Sequence, residues 1–190
     1  MISFLDDIEA CLKILKEGGL ILYPTDTIWG IGCDATNAIA VNKIYQLKKR
    51  QEEKSLIIML AEEKDLIHYV TQPDLGVFDY LKNISKPTTI IYDGAIGLAD
   101  NTINKDGSIA IRITKDNFCS HLIKRFKKPI VSTSANIAGS PSPASFKDID
   151  LLIKNGVDYI VTYRQEEVVV TAPSAIIKWN KNGTNTIIRS

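Results

Sequence analysis

The sequence is poor in the residues that carry most enzyme chemistry. Two histidines and three cysteines are all it has in 190 residues. Cys11, Cys33 and Cys119 are far apart and odd in number, and they form no CxxC pair, which argues against a disulfide framework or a zinc site and points to a reducing compartment. His68 and His121 have no acidic partners at metal spacing, so a zinc enzyme or a Ser-His-Asp hydrolase finds no support. Neither GxxxxGK[ST], GxSxG nor HExxH is present. Gly30-Ile31-Gly32 lacks the third glycine of a dinucleotide turn, and the helix that follows starts in the wrong place. No apolar run approaches the roughly 20 residues of a membrane span. Asp6, Asp7 and Glu9 stand where an export signal would carry positive charge. Charge of one sign is also missing: 23 Lys+Arg against 22 Asp+Glu leave a net charge of +1, which speaks against a generally basic nucleic-acid coat.

What is present is an ordinary globular composition, 45% hydrophobic and 24% charged. The length suits one domain at about 150 residues per domain. Phe4, Leu5, Ile8, Cys11, Leu12 and Leu15 form one helical stripe, stopped by Gly18-Gly19. Leu20–Tyr23 then reads as a buried strand and Asn37–Lys49 as a helix. Ser55–Leu60 reads as a strand, followed by helices near 62–70 and 74–83. Strands are expected at Thr88–Tyr92, Ser108–Ile113 and Ile130–Thr133, with a helix at Asn117–Phe126. A further helix is expected near 146–154, then short strands near 159–162, 168–171, 174–178 and 186–189. Helices mixed with spaced and hairpin-like strands predict a single α/β domain over 1–190 with a mixed sheet.

Three stretches carry candidate chemistry. In Tyr23-Pro24-Thr25-Asp26-Thr27-Ile28-Trp29-Gly30, two hydroxyls and a carboxylate follow a buried strand, where α/β folds bind ligands; the same residues also make an ordinary capped turn. Lys48-Lys49-Arg50, with Lys54 beyond, reads either as the basic last turn of a helix or as the rim of an anion pocket. Val131-Ser132-Thr133-Ser134-Ala135-Asn136-Ile137-Ala138-Gly139-Ser140-Pro141-Ser142 begins inside a strand, so its hydroxyls are not simply those of a surface loop; such a loop offers neutral donors to phosphate oxygens. Arg112, inside Ile-Ala-Ile-Arg-Ile, needs an internal acid or a bound anion to offset its charge.

In this order and spacing the stretches resemble the YrdC/Sua5/TsaC family. Weaker matches are Lys86-Pro87-Thr88-Thr89 and Pro173-Ser174-Ala175-Ile176-Ile177. The length resembles the short, single-domain TsaC form. The resemblance implies a twisted mixed sheet with flanking helices around a large, positively lined cavity. It also implies an L-threonylcarbamoyladenylate synthase, which uses L-threonine, bicarbonate or CO2, and ATP with Mg2+, and releases pyrophosphate. The product would pass to a threonylcarbamoyl transferase complex for t6A modification of tRNA beside the anticodon, in the cytoplasm. Some family members bind double-stranded RNA, which makes RNA or tRNA contact a further expectation. By motif position Thr27, Arg112, Ser132 and Ser174 match threonine-binding residues. Arg50, Lys54, Ser108, Ser134, Ser142 and Arg189 match ATP-binding residues. Lys48, Arg50, Ser134 and Asn136 match a Lys-Arg-Ser-Asn catalytic set near the triphosphate. No protein metal ligand is implied. Gln51 and Ser55 replace two family prolines, Ile84-Ser85-Lys86 replaces Trp-Pro-Gly, and Ala175 and Lys178 replace Thr and Asp. An RNA-binding module, or a paralogue making another carbamoyl or acyl adenylate, are the alternative readings.

Overall fold

A computed structural model describes residues 4–49, 56–167, 173–180 and 183–190. The expected strand at 168–171 and the site residues Arg50 and Lys54 lie outside them. Helix α1 (Phe4–Lys16) turns Ile8, Cys11, Leu12 and Leu15 inward, with acids in its first turn and lysines near its end, as the helix dipole favours. Its buried Asp7 is not a surface acid. The carboxylate accepts from Tyr159 Oη at 2.7 Å, Thr162 N at 3.0 Å, Thr162 Oγ1 at 2.8 Å and Tyr163 N at 2.9 Å, which ties the helix to the chain after residue 158.

Strands β1 (Ile21–Tyr23) and β2 (Gly30–Gly32) form an antiparallel pair around the YPTDT turn. Two glycines in a three-residue strand hide it from a propensity reading, yet both are wanted. A Cβ on Gly32 would lie 2.8 Å from Tyr23 Cε1 and 2.9 Å from Val131 O. Helix α2 (Ala38–Lys48) is capped by Asn37, whose Oδ1 accepts from Ile39 N and Ala40 N. Then come β3 (Ile57–Leu60), α3 (Gly76–Asn83), β4 (Thr88–Tyr92), β5 (Ile109–Ile113), α4 (Asn117–Phe126) and β6 (Ile130–Ser134). Helix α5 (Leu151–Asn155), β7 (Tyr159–Ile160), β8 (Ala175–Trp179) and β9 (Asn185–Arg189) close the chain.

Two expected helices differ. Residues 63–68 wind as a 3-10 helix. The expected 146–154 helix is shorter, because Asp148 takes up Ser145 and Asp150 caps Leu152 N at 2.8 Å, so the α-helix starts only at Leu151.

Among the described residues nine strands form one sheet in the order β7-β1-β2-β6-β3-β5-β4-β8-β9, with parallel pairs at β7-β1, β3-β5 and β4-β8 and antiparallel pairs elsewhere. Helix α1 packs against α4, and α2 against α5. Alternation along β5 sorts its two faces: Ile109 and Ile111 join the apolar core, whereas Ala110 and Arg112 face a cavity on the other side. No helix among the described residues is long and apolar enough to cross a membrane.

Candidate active site

The cavity occupies about 340 Å³ on that second face of the sheet, and β2, β3, β4, β5, β6, β8 and β9 all contribute to its wall. Its lining among the described residues holds two guanidinium groups, Arg112 and Arg189, and seven hydroxyls, but no carboxylate, thiol or imidazole. Of the residues matched to the family's threonine site, Thr27, Arg112, Ser132 and Ser174 all lie in this wall, and so do Ser134, Ser142 and Arg189 from the ATP set.

Arg112 is 4% exposed and cannot shed its proton, so its charge has to be met inside the protein. Its Nη1 donates to Thr27 Oγ1 at 3.1 Å and its Nη2 pairs with Asp26, while Nε has no hydrogen-bond partner. The internal acid that its sequence context called for is therefore Asp26. Burial lowers the guanidinium's pKa. Thr27 is fixed by its own turn: Thr25 Oγ1 lies 3.0 Å from Thr27 Oγ1, accepts from Thr27 N at 3.0 Å and donates to Ile28 O at 2.8 Å. Thr25 and Trp29 also line the cavity, and the Trp29 ring lies 4.9 Å from that of Phe146. Sequence reasoning singled out the motif but gave no separate role to Thr25, Asp26 or Trp29. The signal for Asp26 was the lone arginine of β5 and its need for a counter-charge.

Beneath this end lies Tyr23, fully buried, with its ring beside Gly30 and its hydroxyl near Ser132. Burial pushes its phenol upward, as it does the thiol of Cys119, which contacts Pro24 O at 3.4 Å. The Cys119-Ser120-His121 run is thus part of a helix packed on the core and presents no reactive thiolate.

Ser174 and Arg189 are joined across the cavity's far side. Arg189 donates from Nε and Nη2 to Ser174 O at 3.2 and 2.8 Å, and Ser174 Oγ meets Thr89 Oγ1 at 2.8 Å. A residue matched to ATP therefore braces one matched to threonine.

The Lys-Arg-Ser-Asn set divides. Lys48 is 1% exposed, and its ammonium donates to Ser134 O and, at 2.6 Å, to Asn136 O. Ala138 N returns a bond to Lys48 O at 2.8 Å. Asn136 Nδ2 is occupied by Ile137 O at 3.0 Å and Ser140 O at 2.6 Å. Lys48 and Asn136 thus shape the loop that presents Ser134 and Ser142, and neither lines the cavity. Ser108 precedes β5 and lies outside the lining, donating to Asp106 Oδ1 at 2.6 Å and accepting from Asn104 Nδ2 at 2.9 Å.

A sheet face with one buried guanidinium, one exposed guanidinium and neutral hydroxyls defines a pocket for anionic ligands, formed by the mixed-sheet architecture that the motifs implied. Comparison with known proteins gives the family. The Sua5/YciO/YrdC family model, described as "Telomere recombination", matches residues 13–190, and the chain belongs to this family. The chain is 31% identical over 150 residues to a threonylcarbamoyl-AMP synthase of Vibrio parahaemolyticus serotype O3:K6 (strain RIMD 2210633), covering 77% of this chain and 80% of the relative. It is 34% identical over 140 residues to the protein of that name from Photobacterium profundum, covering 72% and 76%. Its fold matches that of P. abyssi Sua5 complexed with L-threonine, with a TM-score of 0.88 at 23% identity; the match covers all of this chain and 55% of the Sua5 chain.

Proposed function

We propose that the protein is an L-threonylcarbamoyladenylate synthase, which joins L-threonine, bicarbonate or CO2, and ATP into threonylcarbamoyl-AMP and pyrophosphate. The observation that carries this reading is the buried guanidinium of Arg112, on the wall of a cavity furnished with hydroxyls and holding no thiol, imidazole or carboxylate to activate them among its described lining residues. Such a wall suits a reaction in which the substrates react with one another. The threonine ammonium gives one proton to water or bicarbonate, the free amine forms its N–C bond to CO2, and a second proton leaves the nitrogen the same way to give the carbamate. A carbamate oxygen then attacks the α-phosphorus of ATP, and the bond to the bridging oxygen breaks as pyrophosphate leaves. The protein's part is to hold the anions in line and offset their charge. Enclosure matters as well, because carbamate and mixed anhydride both react with water.

In this reading Arg112 takes the threonine carboxylate, and Thr27, Ser132 and Ser174 surround the amino acid. Ser134, Ser142 and Arg189 serve the nucleotide, joined by Arg50 and Lys54 by family position. Lys48 and Asn136 act through the loop. Ser108 has its hydroxyl taken by Asp106 and has the weakest claim. Among the described residues no group of three or more acidic, histidine or cysteine side chains could hold a metal ion, and the lining has no carboxylate. Mg2+ fits here as the counter-ion that ATP brings on its own phosphates. The product suits a cytoplasmic transferase that modifies tRNA.

The test is pyrophosphate release with each substrate omitted in turn. Release is expected only when ATP, L-threonine and bicarbonate are all present. ATP turnover that ignores threonine would remove the reading.

A further inference from the structure

Within the Tyr-Pro-Thr-Asp-Thr motif Thr25 and Thr27 line the main cavity, whereas Asp26, which stands between them, does not. Asp26 lines a second cavity of about 340 Å³, together with Lys82, Lys86, Lys115 and Glu63. Its carboxylate nevertheless pairs with Arg112, which lines the first. The Arg112–Asp26 pair is therefore the partition between two cavities, one with no acid among its described lining residues and one with three lysines.

The partners differ in freedom. The Arg112 side chain is 5% exposed and stands in the middle of a sheet, whereas that of Asp26 is 23% exposed and stands in a turn. With the first cavity empty, Asp26 offsets a buried cation that would otherwise be costly. When an amino acid's carboxylate reaches Arg112, two carboxylates compete for one guanidinium, and their repulsion opposes both. The lysine-lined cavity gives the displaced carboxylate somewhere to turn.

We infer that Asp26 is a positioning residue for the threonine subsite, holding Arg112 in the empty enzyme and yielding it to the substrate carboxylate by turning toward Lys86 and Lys115. This rests on the threonine assignment above. It makes Asp26 an internal competitor of the substrate, so threonine binds less tightly than Arg112 alone would allow. A carboxylate-bearing ligand is required to release the pair, which favours free amino acids over their amides.

The test compares calorimetric titration of L-threonine, and steady-state kinetics, for the wild type, Asp26→Asn, and the double variant Lys86→Ala/Lys115→Met. The asparagine keeps shape and hydrogen bonding but lacks the competing charge. Its threonine Kd is expected to fall by about fivefold or more, the size of a typical coupling between linked contacts. The gain should appear in KM rather than in kcat. The ligand-free variant should melt earlier than the wild type, and saturating threonine should raise its midpoint by more. The double-lysine variant should move the other way, binding threonine several-fold more weakly with ATP affinity unchanged. If Asp26→Asn fails to fold, the lysine variant decides alone, and unchanged threonine affinity there overturns the inference. Equal or weaker threonine binding by a folded Asp26→Asn variant overturns it too. A wild type that takes up no threonine overturns the function reading and this inference together, whereas a threonine-binding wild type with unresponsive variants overturns only the inference.

Discussion

Lys48 ends α2, where a cation is ordinarily a solvated answer to the helix dipole. Here its ammonium is buried, and two loop carbonyls take it up. Its neighbour Lys49 is exposed and adopts φ 51° as the helix cap. The two lysines therefore predict opposite results. Lys48→Met should remove ~2–3 kcal/mol of stability, because Ser134 O and Asn136 O lose a charged donor. It should also raise the KM for ATP, because the loop that carries Ser134 and Ser142 loses its anchor. Lys49→Gly should be neutral or slightly stabilising, since glycine adopts the left-handed cap without strain. Urea denaturation of both variants checks this, and equal losses would mean that the cluster acts only as diffuse helix-end charge. Arg112 teaches a related lesson. Its sequence context showed that a charge sat in a buried strand, and periodicity alone could not say which acid answered it, because Asp26 lies on another strand's turn.

At the scale of elements, β2 is the least legible piece of the fold. Gly-Ile-Gly has no strand propensity to read, and its glycines answer a ring that packs across them from β1. The two glycines should respond differently to a methyl group. Gly32→Ala drives Cβ to within 2.8 Å of the Tyr23 ring and 2.9 Å of a backbone carbonyl, so it should cost ~1–3 kcal/mol. At Gly30 the added Cβ would meet Ser132 Oγ at 3.4 Å and Tyr23 Cε1 at 3.6 Å, ordinary contacts on a cavity-lining residue. Gly30→Ala should fold nearly as well and raise the threonine KM instead. Thermal melts paired with threonine titrations separate the two, and matched stability losses would refute the distinction. The shortened α5 has a simpler cause. The apolar spacing of Phe146, Ile149 and Ile153 is helical, but Asp148 and Asp150 spend their carboxylates on turn amides and delay the start.

Over the whole molecule, short apolar runs set between helical stripes made the α/β class and most strands legible, because a strand buried on both faces reads as a continuous apolar run. Order and spacing of the motifs made most of the cavity wall legible as well: Arg112, Ser132, Ser134 and Arg189 from three strands, and Thr27, Ser142 and Ser174 from connecting segments, meet there. What sequence could not convey is the direction of each polar group. Lys48, Asn136 and Ser108 are polar residues in motif positions whose side chains turn to backbone or to neighbouring side chains, and only three-dimensional geometry separates supporting residues from lining ones. The central claim is that this wall joins three substrates through a carbamate. Incubating the protein with ATP, L-threonine and carbon-13 bicarbonate, and weighing the adenylate by mass spectrometry, tests it most directly. The expected product is an adenylate heavier than threonyl-AMP by one CO2 unit that carries the label. Unlabelled threonyl-AMP, or AMP alone with no labelled adenylate at any time, would contradict it.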